Sequence, residues 1–219
     1  MNKKLQPLKN GSLATQVFTQ LRAAIFSGDF QPGDPLREAH LARDLQVSQA
    51  TVREALVKLE QMGLVVRTPN ISTHVTNFTR QEMLERTELR AELEELACIR
   101  AARLLTEEDF ARLSQMVKEM QRAFARKEFF EAASIDLEFH RYIWQQTGNK
   151  TLYSLLDQLA VPMFAFVSLT RQRQGDAPKG AARRHTQLIE ALKTRREKDI
   201  KAVVRGHFDA FHSVPESLR

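Results

Sequence analysis

Residues 41–64, LARDLQVSQATVREALVKLEQMGL, read as a short helix, a tight turn, a second helix and the entry to a β-ribbon. Leu41, Ala42 and Leu45 give the first helix one apolar stripe, and Val52, Ala55, Leu56 and Leu59 give the second another, both at helical spacing. Ser48 stands where an N-cap belongs, its hydroxyl placed to accept from a free N–H of the next turn. With the stripes turned inward, the polar residues opposite become the informative ones. Ser48, Gln49, Ala50, Thr51 and Arg53 crowd the start of the second helix, where a helix lying in the DNA major groove presents side chains to base edges and phosphates.

Outward from this core, Ser12 precedes a segment with Val17, Leu21, Ala24 and Ile25 on one helical face, and Gly28 closes it. Asp29 to Pro35 then reads as a turn. On the other side, Val65-Val66-Arg67 and Thr73-His74-Val75-Thr76 alternate like two short strands around residues 68–72, which makes a β-wing without a glycine at its tip. Arg37, at the start of the second helix, and Arg67 and His74 on the wing are candidate phosphate contacts.

These residues resemble the winged helix-turn-helix of the GntR family of bacterial transcription regulators. Its pattern LA..L.VS...VREAL..L...GLV is met by Leu41-Ala42, Leu45, Val47-Ser48, Val52 to Leu56, Leu59 and Gly63-Leu64-Val65, and G-x-x-x-P-G-x-x-L runs from Gly28 to Leu36. Two positions depart from it. Gln46 stands in the turn where the family usually has Gly, so a non-Gly residue is expected in a left-handed conformation at a cost of about 1 kcal/mol. Ser48-Gln49-Ala50-Thr51 replaces the usual Ser-Arg-Thr-Pro, which removes one guanine reader.

The 219 residues are 42% hydrophobic and 27% charged, an ordinary globular balance that suits one large domain or two modest ones. The formal charge is +6, from 9 basic and 6 acidic residues up to Asn77 and 24 and 21 beyond it. Charge alone therefore permits nucleic-acid binding without revealing it. No apolar run approaches the roughly 18 residues of a membrane span, and the basic N-terminus leads into an amphipathic segment rather than a secretion signal. A cytoplasmic address is expected. The single cysteine, Cys98, lies among Leu96, Ala97 and Ile99, which suits a packed thiol in a reducing compartment.

The domain boundaries expected are 10–77 for the winged helix-turn-helix, 78–82 for a linker and 83–213 for an all-helical bundle of about six helices, giving a mainly α fold. The first bundle helix, 82–105, is acidic, with Leu89, Leu93, Leu96, Ala97, Ile99 and Ala101 as its apolar side. Thr106 to Asp109 resembles a capping box, and Phe110, Leu113, Val117, Met120 and Phe124 form one stripe behind it. A third helix runs from about Phe129 to Gln146 and a fourth from about Lys150 to Thr170, with Pro162 expected to kink it. Arg171 to Lys179 reads as a mobile loop, and helices over about 182–192 and 197–212 follow. Phe139, Tyr142, Trp144, Met163, Phe164 and Phe166 read as core before pocket lining. Arg183-Arg184 and Arg195-Arg196 read as solvated helix starts and a turn.

Asp136 and His140 are four apart, so both lie on one helix face, while His185 and His207 belong to two later helices. One carboxylate and three imidazoles form a divalent-metal ligand set with room for water or a small acid, although helical histidines are more often plain surface residues. The bundle resembles the FadR C-terminal (FCD) domain through Arg90-x-x-Leu93-Glu94-x-x-Ala97, Asp136-x-x-Phe139-His140, Gly148-Asn149, His185-x-x-Leu188-x-x-Ala191-Leu192, and Ala202 with His207. That resemblance implies Asp136, His140, His185 and His207 as metal ligands, with zinc ahead of nickel or manganese. Arg90 is the candidate fork for a carboxylate effector, its alternative being a pair with Glu94 on the same helix.

The reading is a DNA-binding regulator, by default a repressor, whose operator affinity responds to a small organic acid at a metal site. A homodimer on a palindromic double-stranded operator, with no membrane partner, completes the expectation. The competing class is a metal-dependent hydrolase built on the same three histidines and aspartate, against which stand the absence of a phosphate loop or nucleophile elbow and the presence of a DNA-reading motif.

Overall fold

The computed structural model describes residues 12–68, 72–175 and 180–212, with side chains excluded at 173–174 and 209–212. It divides into two compact units, one up to Val75 and one from Thr76.

In the first unit, α1 (Leu13–Ser27), α2 (Glu38–Asp44) and α3 (Gln49–Gln61) precede a ribbon of β1 (Val65–Thr68) and β2 (Ser72–Val75). Ser12 caps α1 by accepting from the Thr15 N–H, and Gly28, at φ 90°, ends it in the left-handed conformation that a Cβ disfavours. Val17, Leu21 and Ile25 of α1 and Val52, Leu56 and Leu59 of α3 are buried, and the two helices pack on each other. Gln46 does adopt φ 55° in the turn between α2 and α3, as its place in the motif required. The ribbon is antiparallel in the register Val65 to Val75, Val66 to His74 and Arg67 to Thr73. The preceding turn is stitched onto it: Gly33 N–H donates to Val75 O at 2.9 Å, Leu36 N–H to Thr73 O at 2.7 Å, and Val75 N–H to Asp34 O at 3.0 Å. The start of α2 is thereby held against β2. The wing tip falls outside the described residues.

The second unit is a six-helix bundle of α4 (Arg80–Ala102), α5 (Glu107–Ala125), α6 (Phe129–Gln146), α7 (Lys150–Gln174), α8 (Ala181–Thr194) and α9 (Glu197–His212). The segment expected as a linker, 78–82, is absorbed into it. Phe78 is buried against Met83, Met163 and Phe166, and Thr79 and Glu82 form a capping box that starts α4 at Arg80. The Thr106–Asp109 capping box on α5 is likewise present. α7 runs to Gln174, so the first part of the loop expected from Arg171 is helix, and residues 176–179 lie outside the description. Pro162 sits within this helix, which continues past it.

α4 departs most from its sequence pattern. Its buried face is Met83, Thr87, Arg90, Glu94, Ala97, Cys98 and Ala101, while Leu89 is 59% and Leu96 40% exposed. Small residues let the other helices approach, and a charged pair occupies the interior. Cys98 is fully buried, and burial pushes its thiol well above its ordinary pKa. The α7 stretch Lys150–Gln172 contains a segment long and apolar enough by composition to cross a membrane, contrary to the expectation of no such run. Half of that segment is buried, as befits a core helix of a bundle.

Candidate functional site

The DNA-reading candidates gather on one side of the first unit. Ser48 Oγ accepts from the Thr51 N–H at 3.1 Å and lies 2.8 Å from Thr51 Oγ1, so both hydroxyls close the α3 cap. Gln49, Ala50 and Arg53 are exposed along the first turns of α3, and Arg37 is exposed at the N-cap of α2. A cleft is lined by Arg37, Glu38, Arg53, Arg67, Thr73 and His74. Its dominant contact is bidentate: Arg53 Nη2–H donates to Glu38 Oε2 at 2.7 Å, and Arg53 Nε–H reaches both Glu38 oxygens at 3.1 and 3.2 Å. Arg67 lies two residues from the buried Val65 and so on the same, inward face of the ribbon. It pairs with Glu60 at 3.5 Å and approaches Glu38 at 3.8 Å, so it braces the unit while it lines the cleft. Val66, 47% exposed, and His74 pair on the outward face.

In the second unit the proposed ligands come from three helices: the three histidines form one cluster, and Asp136 lies beside two of them. Asp136 and His140 come from α6, His185 from α8 and His207 from α9. His185 Nε2 lies 2.9 Å and His140 Nε2 3.5 Å from the same Asp136 Oδ1, and one nitrogen from each imidazole lies within 4.8 Å of the others. The other ring edges differ in what they meet. His185 Nδ1–H donates to the Ala181 carbonyl at 2.8 Å, and His140 Nδ1 lies 3.0 Å from Glu94 Oε1, off the line of a hydrogen bond. Backbone carbonyls and carboxylates on the far nitrogen are what orient imidazole ligands around an ion.

The electrostatics have the same sense. Burial pushes His207 well below its ordinary pKa, with His185 and His140 adding to the effect, so it is a neutral imidazole with a lone pair to give. Its Nδ1 is buried and finds no partner among the described residues. Burial alone would lower His185, but Asp136 beside it raises it; burial alone would raise Asp136, but His185 and then His140 lower it. A divalent cation suits this set, because it would supply the positive charge that Asp136 otherwise takes from His185.

Arg90 lies apart from the cavity lining. Its Nη2–H donates to Glu94 Oε1 at 3.0 Å, and its guanidinium is stacked over Phe164 and Phe208 at 4.7 and 4.9 Å. The alternative weighed from sequence, the pair with Glu94, is what the structure forms. The cavity beside His185 and His207 holds about 60 Å³, room for about two waters. Arg171, Arg184 and Ser168 line it with Asp136. Arg171, expected in a loop, and Arg184, expected as a solvated helix start, instead line this cavity, and Glu94 has a role that its sequence pattern did not mark. Glu94 accepts from the Trp144 indole at 2.8 Å as well as from Arg90. Burial would raise its pKa, but His140, Arg90 and Trp144 hold it at about 2. Its i, i+4 spacing from Arg90 was the available signal, but nothing in that spacing said the pair faced inward.

A winged helix-turn-helix joined to an all-helical bundle is the build of a DNA-binding transcription regulator. The comparisons give the family. The profile "Bacterial regulatory proteins, gntR family" matches residues 13–75, and the FCD domain profile matches residues 85–210. The chain belongs to the FCD-containing GntR-family transcriptional regulators. It is similar to the repressor RspR of Escherichia coli, with 27% identity over 207 residues covering 93% of this chain and 88% of that one. A regulator from the same organism, YieP, is 31% identical over 177 residues, 68% of this chain and 76% of its own. The solved structure of E. coli McbR/YncC superposes with a TM-score of 0.67 at 24% identity, covering 91% and 95% of the two chains. These relatives are transcriptional regulators rather than enzymes, so the hydrolase reading is set aside.

Proposed function

We propose that this regulator binds a palindromic operator as a cytoplasmic homodimer, and that a small carboxylate metabolite at a divalent metal in the helical unit changes its affinity for DNA. Zinc is the first candidate, with nickel and manganese next. The observation that carries the reading is the clustering of His140, His185 and His207, one nitrogen from each within 4.8 Å of the others, with Asp136 beside His185 and His140 and the outer His185 nitrogen held by the Ala181 carbonyl. The metal, when bound, would offer open coordination positions to an acid oxygen. The chain's own part is to orient those ligands, to exclude bulk water by burial, and to line the cavity with Arg171 and Arg184, whose positive charge suits a carboxylate. Arg90, whose Nη1 is buried and finds no hydrogen-bond partner among the described residues, stays a candidate fork beside them.

Repression is the default, in keeping with the repressor RspR among its relatives. For self-association, the exposed Leu89 and Leu96 on α4, with Leu155 on α7, supply apolar surface that a second copy would cover. An effector shifts DNA affinity only if it binds the competent and incompetent arrangements unequally. The test is a titration of a fluorescent operator fragment, selected from genomic DNA by the protein itself, with metal-loaded and chelated protein in the presence of short-chain acids. Affinity should change with an acid only in the loaded form. Equal affinities under all conditions would refute the sensor.

A further inference from the structure

Glu38 and Glu60 are the carboxylates in the wall of a cleft that otherwise presents Arg37, Arg53, Arg67 and His74. A negative charge here works against phosphate attraction, so its presence on a DNA-binding surface calls for a compensating role. The geometry of Glu38 supplies one. Its side chain is 23% exposed, while Arg53 remains 57% exposed although it makes three contacts to that carboxylate. Those contacts use the Nε–H and one Nη2 hydrogen out of the five N–H donors of a guanidinium, leaving the Nη1 edge for DNA. A long side chain that would otherwise sample many rotamers is fixed by a bidentate fork. Glu38 also lies 3.8 Å from Arg67 on β1, and its own helix start is bonded to β2 through Leu36 and Thr73. One carboxylate thus joins α2, the recognition helix and the wing.

We propose that Glu38 is the positioning residue of the DNA-reading face, holding Arg53 in a single orientation and tying α3 to the wing through Arg67. Its role is selectivity: it gives up general attraction to phosphate and gains a fixed donor edge for the matching site. This goes beyond the sensor reading and does not depend on any metal or effector.

The experiment compares full-length wild type, Glu38→Ala and Glu38→Gln for binding to a self-selected genomic fragment and to a scrambled duplex of the same length and salt. Glu38→Ala should lower the ratio of selected to scrambled affinity by about tenfold, with scrambled binding unchanged or tighter. Glu38→Gln, which keeps an acceptor oxygen at the same reach, should recover part of the ratio. Circular dichroism at the assay temperature checks that each variant is folded, and if Glu38→Ala is not, Glu38→Gln alone carries the test through a smaller fall in the ratio. Tightening of both duplexes by one common factor, or no change in either, would overturn the proposal, because the carboxylate would then be a competitor for phosphate or a bystander.

Discussion

The two units treat charge in opposite ways. On the DNA side, Arg53, Glu38 and Arg67 meet at the surface, where solvent screens the pairs and leaves the guanidinium edge available. In the bundle, Arg90 and Glu94 are each 1% exposed and sit among Trp144, Phe164, Phe208 and the three histidines. An exposed charge can be lost at little cost to stability and great cost to binding. A buried network inverts that balance, since removing one member strands the rest without water. The contrast teaches that charge in the first unit is held where a partner can reach it, and charge in the second is held where its own neighbours must satisfy it.

Breaking the buried side should have the largest effect. Glu94→Ala leaves Arg90 and the Trp144 indole without their acceptor and removes the carboxylate beside His140, and should cost about 3–5 kcal/mol in urea unfolding. Retained stability would show that water replaces the carboxylate. Acid probes the same group without mutation. Glu94 is depressed from 4.5 to about 2 in the fold, so its contribution is complete above pH 4.5 and is lost as pH falls toward 2. Urea titrations over that range should show wild type losing stability more steeply than Glu94→Gln.

On the exposed side, Arg53→Ala should weaken operator binding by about 30–150-fold, equivalent to about 2–3 kcal/mol. Its melting temperature should stay close to wild type, because the pair it breaks is solvent-screened. Full affinity in this variant would remove α3 from the DNA interface. Ser48→Ala is smaller again: loss of the 3.1 Å cap to the Thr51 N–H should cost about 1 kcal/mol of stability. The smallest signal belongs to Cys98, whose buried thiol should ignore a thiol reagent in native protein and react fully in denaturant.

The surface unit was the more legible in sequence because its constraints are local. A cap at Ser48, a glycine stop at Gly28 and the strained turn at Gln46 each follow from residues within a few positions, and all three are present. α4 was misread for a physical reason. Leucine is normally buried and a charged pair normally solvated, so the pattern turned Leu89 and Leu96 inward, whereas the helix buries Arg90 and Glu94. The Asp136–His140 spacing was visible, yet the partners that orient the cluster, Ala181 O and Glu94, come from helices far away in sequence and carry no local mark. The cavity guanidiniums of Arg171 and Arg184 were hidden in the same way, one in a stretch read as loop and the other in one read as a solvated helix start.

The central claim is that the histidines and aspartate enclosed by the bundle hold a metal ion. Inductively coupled plasma mass spectrometry on full-length protein purified without chelator, with His140→Ala and His185→Ala prepared alongside, measures it most directly. About one divalent ion per chain in wild type and a strong loss in both variants is the expected result. Equal metal content in all three proteins would contradict it.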